Sequence, residues 1–256
     1  MKNFIIFLKY YFFPNYNKFN IINNDRINKY YLYNLLLNEK DTFFDIGANI
    51  GNETRIVLNL KKNIQIYCFE PNKKIFNILK RRFVNYKNVI CSDKIVSNIS
   101  KKIKFFYDPL SLSYSASVSK KSYFYKYIES INLIEYIIKN KIDKIKLFKI
   151  DAEYHDYQII SNIIKYCKEN KSFIIFESEK KSLLNKINFF KKNNYLIFDI
   201  SNNILLKNKK AITYYKDLNK HGLDYLALHT KYKKLFNQNS FIIKPHKNIR
   251  INKGIE

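Results

Sequence analysis

Residues 42–54 read TFFDIGANIGNET. An aromatic, β-prone run closes on Asp45, Gly47, Asn49 and Gly51, and a helix-like segment follows. The whole chain holds only four glycines in 256 residues, and two of them stand here. Glycine accepts φ > 0 and lets another backbone or a ligand come close, so this turn is where the chain needs that freedom. A strand, a glycine turn and a helix N-terminus in succession form a ligand cradle at the carboxyl edge of a parallel sheet.

Outward from this stretch, strand-like and helix-like segments alternate. That pattern predicts a parallel sheet with helices on both faces. Strands are expected at 42–46, 64–69, 88–91, 146–150, 172–176, 195–200, 204–207 and 225–229. Helices are expected at 52–60, 73–83, 131–139, 155–168 and 182–192. Residues 94–107 alternate in the manner of an antiparallel hairpin, and the Ser- and Tyr-rich stretch 108–122 reads as a loop over a site. Residues 1–40 are set apart as an N-terminal helical extension, 41–229 as the domain, and 230–256 as a basic tail.

Composition bounds the partners. Forty-seven Lys and Arg against 21 Asp and Glu give a net charge of +26. A charge of that size points to nucleic acid, an anionic glycan or a membrane surface. Against this, Lys, Asn, Ile, Tyr and Phe are all abundant while Trp is absent, a pattern that compositional drift also produces, and the basic residues are scattered. The tail is the exception: seven Lys or Arg fall between Lys231 and Ile255, with no acid before Glu256. The hydrophobic share of 46% is ample for a core. Cys68, Cys91 and Cys167 form no CxxC pair and lie among apolar neighbours, as reduced, buried thiols of a cytoplasmic protein do. The opening run MKNFIIFLKYYFF is short for a spanning helix, so it is expected to pack on its own domain or to lie peripherally on a membrane surface.

The chemistry sits in three places. The spacing D-x-G-x-N-x-G at Asp45, Gly47, Asn49 and Gly51 is neither the dinucleotide fingerprint nor a P-loop. The second strand ends in Phe69-Glu70-Pro71-Asn72, where a carboxylate can accept hydrogen bonds from both hydroxyls of a ribose. Glu70 alone would read as a helix N-terminal acid; beside the loop it reads as half of a nucleoside site. Asp45 disfavours a pyrophosphate and suits a cofactor with a cationic amino-acid end. Ser92 and Asp93, after the third strand, are placed for an adenine edge or simply for a turn.

FDIGANIG followed by CFEPN resembles the FkbM branch of the class I S-adenosylmethionine-dependent methyltransferases. Leu147-Phe-Lys-Ile-Asp151-Ala-Glu153 is similar to that family's strand-four motif, ESINLIEYI at 129–137 to the segment before it, and FIIFE at 173–177 to the strand after it. The resemblance spans about residues 41–229. It implies a seven-stranded Rossmann-like sheet, S-adenosyl-L-methionine as cofactor, and methyl transfer to an oxygen of a sugar, glycan or secondary metabolite. Tyr154 stands where the family usually has glycine, which implies a reshaped acceptor entrance.

A sulfonium makes its methyl group electrophilic, so the protein chiefly positions the acceptor and assists loss of its proton. Asp151, Glu153 and His155 fall at the carboxyl end of the fourth strand. They are the candidate catalytic residues, with His155 as base or as a helix-start residue. The carboxylates are too few for an expected metal site. Tyr114, Tyr123 and Tyr125 could stack on an acceptor ring, although 22 tyrosines make chance placement the simpler account. Two rival readings stand: an RNA-directed methyltransferase, opposed by the lack of an Asn/Asp-Pro-Pro-aromatic motif, and a cofactor-binding subunit without turnover.

Overall fold

The computed structural model describes residues 24–60, 62–107, 124–152, 155–178, 180–200, 204–205 and 223–233. The segment 108–122, Glu153, Tyr154 and most of the basic tail lie outside the described residues.

A helix α1 (Asn24–Leu36) leads into β1 (Thr42–Ile46), α2 (Asn52–Leu58), β2 (Gln65–Phe69), α3 (Lys73–Phe83) and β3 (Val89–Ser92). Then come β4 (Ile95–Ser97), β5 (Lys102–Tyr107), β6 (Phe124–Asn132), α4 (Leu133–Lys139), β7 (Ile145–Ile150), α5 (Asp156–Asn170) and β8 (Phe173–Ser178). The chain closes with α6 (Lys180–Lys192), β9 (Tyr195–Asp199), β10 (Ile204–Leu205) and β11 (Leu223–His229). The main sheet runs β10-β9-β11-β8-β7-β1-β2-β3. Strands β3, β2, β1, β7 and β8 are mutually parallel, while β11 is antiparallel to both β8 and β9. The chain therefore crosses over at β1, and the carboxyl ends of β1 and β7 open side by side at this switch point.

The strands alternate their side chains between two buried layers, which is why they read as continuous apolar runs. Phe44, Ile46, Phe148, Ile150, Ile174 and Phe176 pack on one face against Ile159, Ile160 and Ile163 of α5 and Ile187 and Phe190 of α6. Phe43, Ile66, Cys68, Leu147, Phe173 and Ile175 pack on the other against α1, α2 and α3. Helix α1 belongs to this second layer: Leu32, Tyr33, Leu36 and Leu37 are buried in it.

Local chemistry sets the helix ends. Asn72 starts α3 by accepting the backbone N–H of Lys74 at 3.2 Å, and Asn132 starts α4 by accepting from Ile134 and Glu135. Helix α5 stops where Lys171 turns left-handed, at φ 54°.

The expected hairpin at 94–107 is corrected. Strands β4 and β5 do not pair with one another; each pairs with β6, β4 in parallel and β5 antiparallel, in a separate three-stranded sheet of order β4-β6-β5. The alternation was real, but alternation carries no information about which strand supplies the partner edge. Helix α4 starts at Leu133 rather than 131, because β6 runs on through Asn132.

Candidate functional site

The loop after β1 is held from two sides by backbone, by β2 and by the end of β7. The N–H groups of Gly47 and Ala48 both donate to the carbonyl of Phe69 at 2.9 Å, and the N–H of Asp151 donates to Ile46 O at 3.0 Å. Gly47 has φ 73°, and a Cβ built there would lie 2.8 Å from the carbonyl carbon of Asp151 and closer still to its oxygen. This glycine is required because the β1 turn and the end of β7 touch through their backbones. Gly51, at φ 79°, caps α2, and a Cβ there would meet Leu79 Cδ1 at 2.7 Å. Between them Asn49 adopts φ 53°, a left-handed position that asparagine tolerates better than most residues.

Glu70 binds this loop to the second strand. One carboxylate oxygen accepts the N–H of Asn49 at 3.0 Å and the other accepts the N–H of Asn72 at 2.8 Å. Its own N–H donates to Ser92 O at 3.0 Å, so the ends of β1, β2 and β3 are tied in one row. Each oxygen keeps lone-pair capacity for a further donor. Burial pushes the Glu70 carboxyl up to about 7.

Asp45 lies fully buried beneath the loop. Its Oδ2 accepts from Thr54 Oγ1 at 2.7 Å and from the Thr54 N–H at 3.2 Å, while Oδ1 has no hydrogen-bond partner. Burial raises this carboxyl to about 6, against the pull of Lys149 and Thr54. A buried carboxylate oxygen left without a donor is costly, and a cationic group arriving at the loop relieves it.

Beside it, Lys149 donates to Asp151 Oδ2 at 2.9 Å. Burial pulls the Lys149 ammonium down, but Asp151, Asp45, Glu53 and Asp224 outweigh it and hold it above its ordinary range. The same pairing outweighs burial at Asp151 and holds its carboxyl below the usual range. Glu177, at the end of β8, adds to this downward pull on Asp151. A second network clasps α1 to the site: Lys29 reaches Glu53 at 2.9 Å and Asp224 at 2.6 Å, and the buried Tyr33 hydroxyl donates to Glu53. Tyr33→Phe is expected to lower stability by about 1.5 kcal/mol, since a buried carboxylate loses a donor. A urea titration of the two proteins checks it.

The sequence-predicted residues separate into groups. Asp45, Gly47, Asn49, Gly51, Glu70 and Asp151 come together around one loop. Ser92 joins them through its carbonyl, and its Oγ accepts the N–H of Lys94 at 3.3 Å. Asp93 faces outward in an exposed ion pair with Lys73 at 2.7 Å. His155 is buried at the start of α5, with Nε2 3.1 Å from Ser97 Oγ of β4, and burial alone lowers its pKa. The turn before it is closed by Asp156, which accepts the Ala152 N–H at 2.7 Å. Glu153 lies outside the described residues.

Sequence reasoning quoted Lys149 in a motif but gave it no role, and it passed over Thr54, Glu53 and Lys29. Lys149 had a readable signal: a lysine inside a strand predicted to be buried on both faces needs anionic partners. Lys29 had none, because its partners are 24 and 195 positions away.

An open α/β sheet with the antiparallel strand β11 inserted beside β8, and an acid-ended glycine loop at its switch point, defines a Rossmann-like methyltransferase fold. The chain belongs to the methyltransferase FkbM domain family, whose pattern matches residues 45–197, more than half of the sequence. Among solved structures, it resembles methyltransferase FkbM from Methylobacillus flagellatus KT with 13% identity and a TM-score of 0.50, over 75% of this chain and 44% of that one. It thus spans less than half of that protein. A precorrin-6y C5,15-methyltransferase from Geobacter metallireducens GS-15 aligns at 12% identity and TM-score 0.45, over 83% of this chain and 93% of that one. An rRNA methylase from Streptococcus thermophilus aligns at 10% and 0.48, over 82% and 98%. No curated protein matches the chain.

The cofactor of such a methyltransferase is S-adenosyl-L-methionine, and the residues present fit it. The partnerless Asp45 oxygen suits an ammonium group, and the Glu70 carboxylate suits a pair of ribose hydroxyls. Among the described residues no cluster of His, Cys, Asp or Glu is suited to a metal, and no helix is long and apolar enough to cross a membrane.

Proposed function

We propose that this protein transfers the methyl group of S-adenosyl-L-methionine to a hydroxyl oxygen of a sugar, glycan or secondary metabolite. The observation that carries the reading is the backbone junction of Gly47 with Asp151, which sets the cofactor loop against the end of β7. The cofactor, when bound, supplies an electrophilic methyl group. Every other role falls to the chain. Glu70 holds the ribose and Asp45 receives the amino-acid end. Ser92 closes the adenine edge through the row it shares with Glu70, and Asp93 contributes negative charge at the rim beside Lys73.

Asp151 is the carboxylate at the reacting edge. Its side chain keeps 35% of its surface exposed, and Lys149 keeps it ionised. An ionised carboxylate there accepts a hydrogen bond from the acceptor's O–H, which orients the nucleophile, and takes up the proton that this hydroxyl gives up. His155 stays neutral and holds the turn to β4 through Ser97; Glu153 is assigned to the acceptor's remaining hydroxyls by its place in the motif.

The test is calorimetry with S-adenosyl-L-methionine, followed by mass spectrometry of glycan extracts incubated with the purified protein. Binding together with a gain of one methylene, lost in Asp151→Asn while binding survives, is the expected result. No binding by folded protein refutes the reading. Binding with no methylated product in any extract would favour a subunit without turnover.

One surface favours a second acceptor class. On the outer side of β6, Tyr125 and Tyr127 are 49% and 60% exposed, and Lys104 stands 4.7 Å from the Tyr125 ring. Exposed aromatic rings beside ammonium groups suit single-stranded RNA. RNA affinity that falls steeply with salt, and falls again in Tyr125→Ala, would move the acceptor to RNA; its absence removes this reading.

A further inference from the structure

Two of the chain's three cysteines stand opposite one another in the sheet. Cys68 of β2 and Cys91 of β3 are register partners on parallel neighbours. Neighbouring strands lie about 4.8 Å apart, inside the Cα separation of roughly 4.4–6.8 Å that a disulfide spans. Both side chains pack on the same face of the sheet, in the layer shared with α1, α2 and α3. Cys167 lies fully buried in the layer on the opposite face, out of reach of either.

The pair is asymmetric. Cys68 is fully buried, and burial pushes its thiol well up. Cys91 is partly exposed on an edge strand of four residues. The neighbouring Cys68 thiol lowers the Cys91 thiol, and Lys80 adds to that. An accessible, more acidic thiol beside a buried one is the arrangement of an attacking and a resolving cysteine.

The pair also touches the site. Cys68 Sγ lies 3.0 Å from Thr54 Oγ1, the hydroxyl that donates to Asp45 beneath the glycine loop. Nothing in methyl transfer uses either thiol.

We propose that Cys68 and Cys91 are a peroxide-reactive dithiol, and that its closure to a disulfide loosens the Thr54–Asp45 anchor of the loop. The Cys91 thiolate attacks one oxygen of hydrogen peroxide; the O–O bond breaks and hydroxide leaves, giving a sulfenic acid at Cys91. The Cys68 sulfur then attacks that sulfur and gives up its proton; the S–O bond breaks and water leaves. The peroxide is reduced to two waters and the two thiols are oxidised by two electrons. Closure takes the proton from Cys68 Sγ and brings that sulfur to about 2.05 Å from Cys91 Sγ, which disturbs its 3.0 Å contact with Thr54 Oγ1.

The test treats the full chain with a few equivalents of hydrogen peroxide and reads intact mass, linked peptides and hydrogen exchange. The expected result is a loss of two hydrogens, a link between the peptides that carry Cys68 and Cys91, and an unmodified Cys167. In Cys68→Ala, Cys91 should instead gain oxygen; in Cys91→Ser, Cys68 should stay unmodified. Amides of residues 47–54 should exchange about threefold faster, or more, in the linked form, and recover with dithiothreitol. Folded protein in which both thiols can still be alkylated after peroxide overturns the dithiol. A link that leaves exchange of 47–54 unchanged overturns its coupling to the loop. Neither readout involves methyl transfer, so the result is independent of the proposed activity.

Discussion

Gly47→Val is expected to abolish binding of S-adenosyl-L-methionine and to destabilise the domain by about 3 kcal/mol or more. Two costs add. The position needs φ 73°, where a β-branched residue is strained. The new Cβ would also lie 2.8 Å from the Asp151 carbonyl carbon. That neighbour is backbone, so it cannot rotate away as a side chain would. The β1–β7 seam must open instead, and with it the hydrogen bond from the Asp151 N–H to Ile46 O. Gly51→Ala is a useful comparison, because there the obstacles are the Leu79 and Phe83 side chains, which can shift. Thermal unfolding of both variants, with calorimetry on whatever stays folded, checks the order. A Gly47→Val protein that binds the cofactor normally would mean that β1 and β7 meet elsewhere.

The second large effect is on pH. Burial raises Glu70 from 4.5 to about 7. Between those values the folded chain holds a proton that the unfolded chain has released. The stability of the cofactor-free protein therefore falls as pH rises through that window. Asp45 and Asp156, each raised from 3.8 to about 6, act in the same direction. The cofactor should work the opposite way. Ribose hydroxyls donate to an ionised carboxylate, so binding expels the Glu70 proton, and affinity should rise about tenfold between pH 6 and pH 8. Glu70→Gln should bind more weakly and lose that dependence. Calorimetry in two buffers of different ionisation enthalpy reads the released proton directly. Affinity independent of pH in the wild type would place the ribose away from Glu70.

The sequence showed the sheet because its strands are buried on both faces. Runs such as TFFDI and KLFKI have no polar side to expose, and the helices between them are amphipathic. Local pattern of that kind survives without knowledge of partners. The hairpin error at 94–107 marks its limit, since β4 and β5 each found their neighbour in β6, beyond a segment of sixteen residues. The site was half legible. Gly47, Asn49 and Glu70 announced themselves by backbone demands and spacing. His155 stands at the head of α5, where a helix-start residue was one of its two readings, and its partner there is Ser97, 58 positions earlier. No spacing rule could supply that.

By itself, the sequence determined the parallel α/β sheet, the glycine loop at 42–54 and the carboxylate one strand later. These depend on each residue's own conformational and solvation preferences. Only the tertiary structure decided why Gly47 is indispensable: the carbonyl of Asp151, 104 positions away, occupies the space of a side chain. It also decided that Lys149 neutralises Asp151, that Lys29 bridges Glu53 and Asp224, and that Cys68 faces Cys91. Those pairings depend on strand order and register, which arise when distant segments pack and which no single segment encodes.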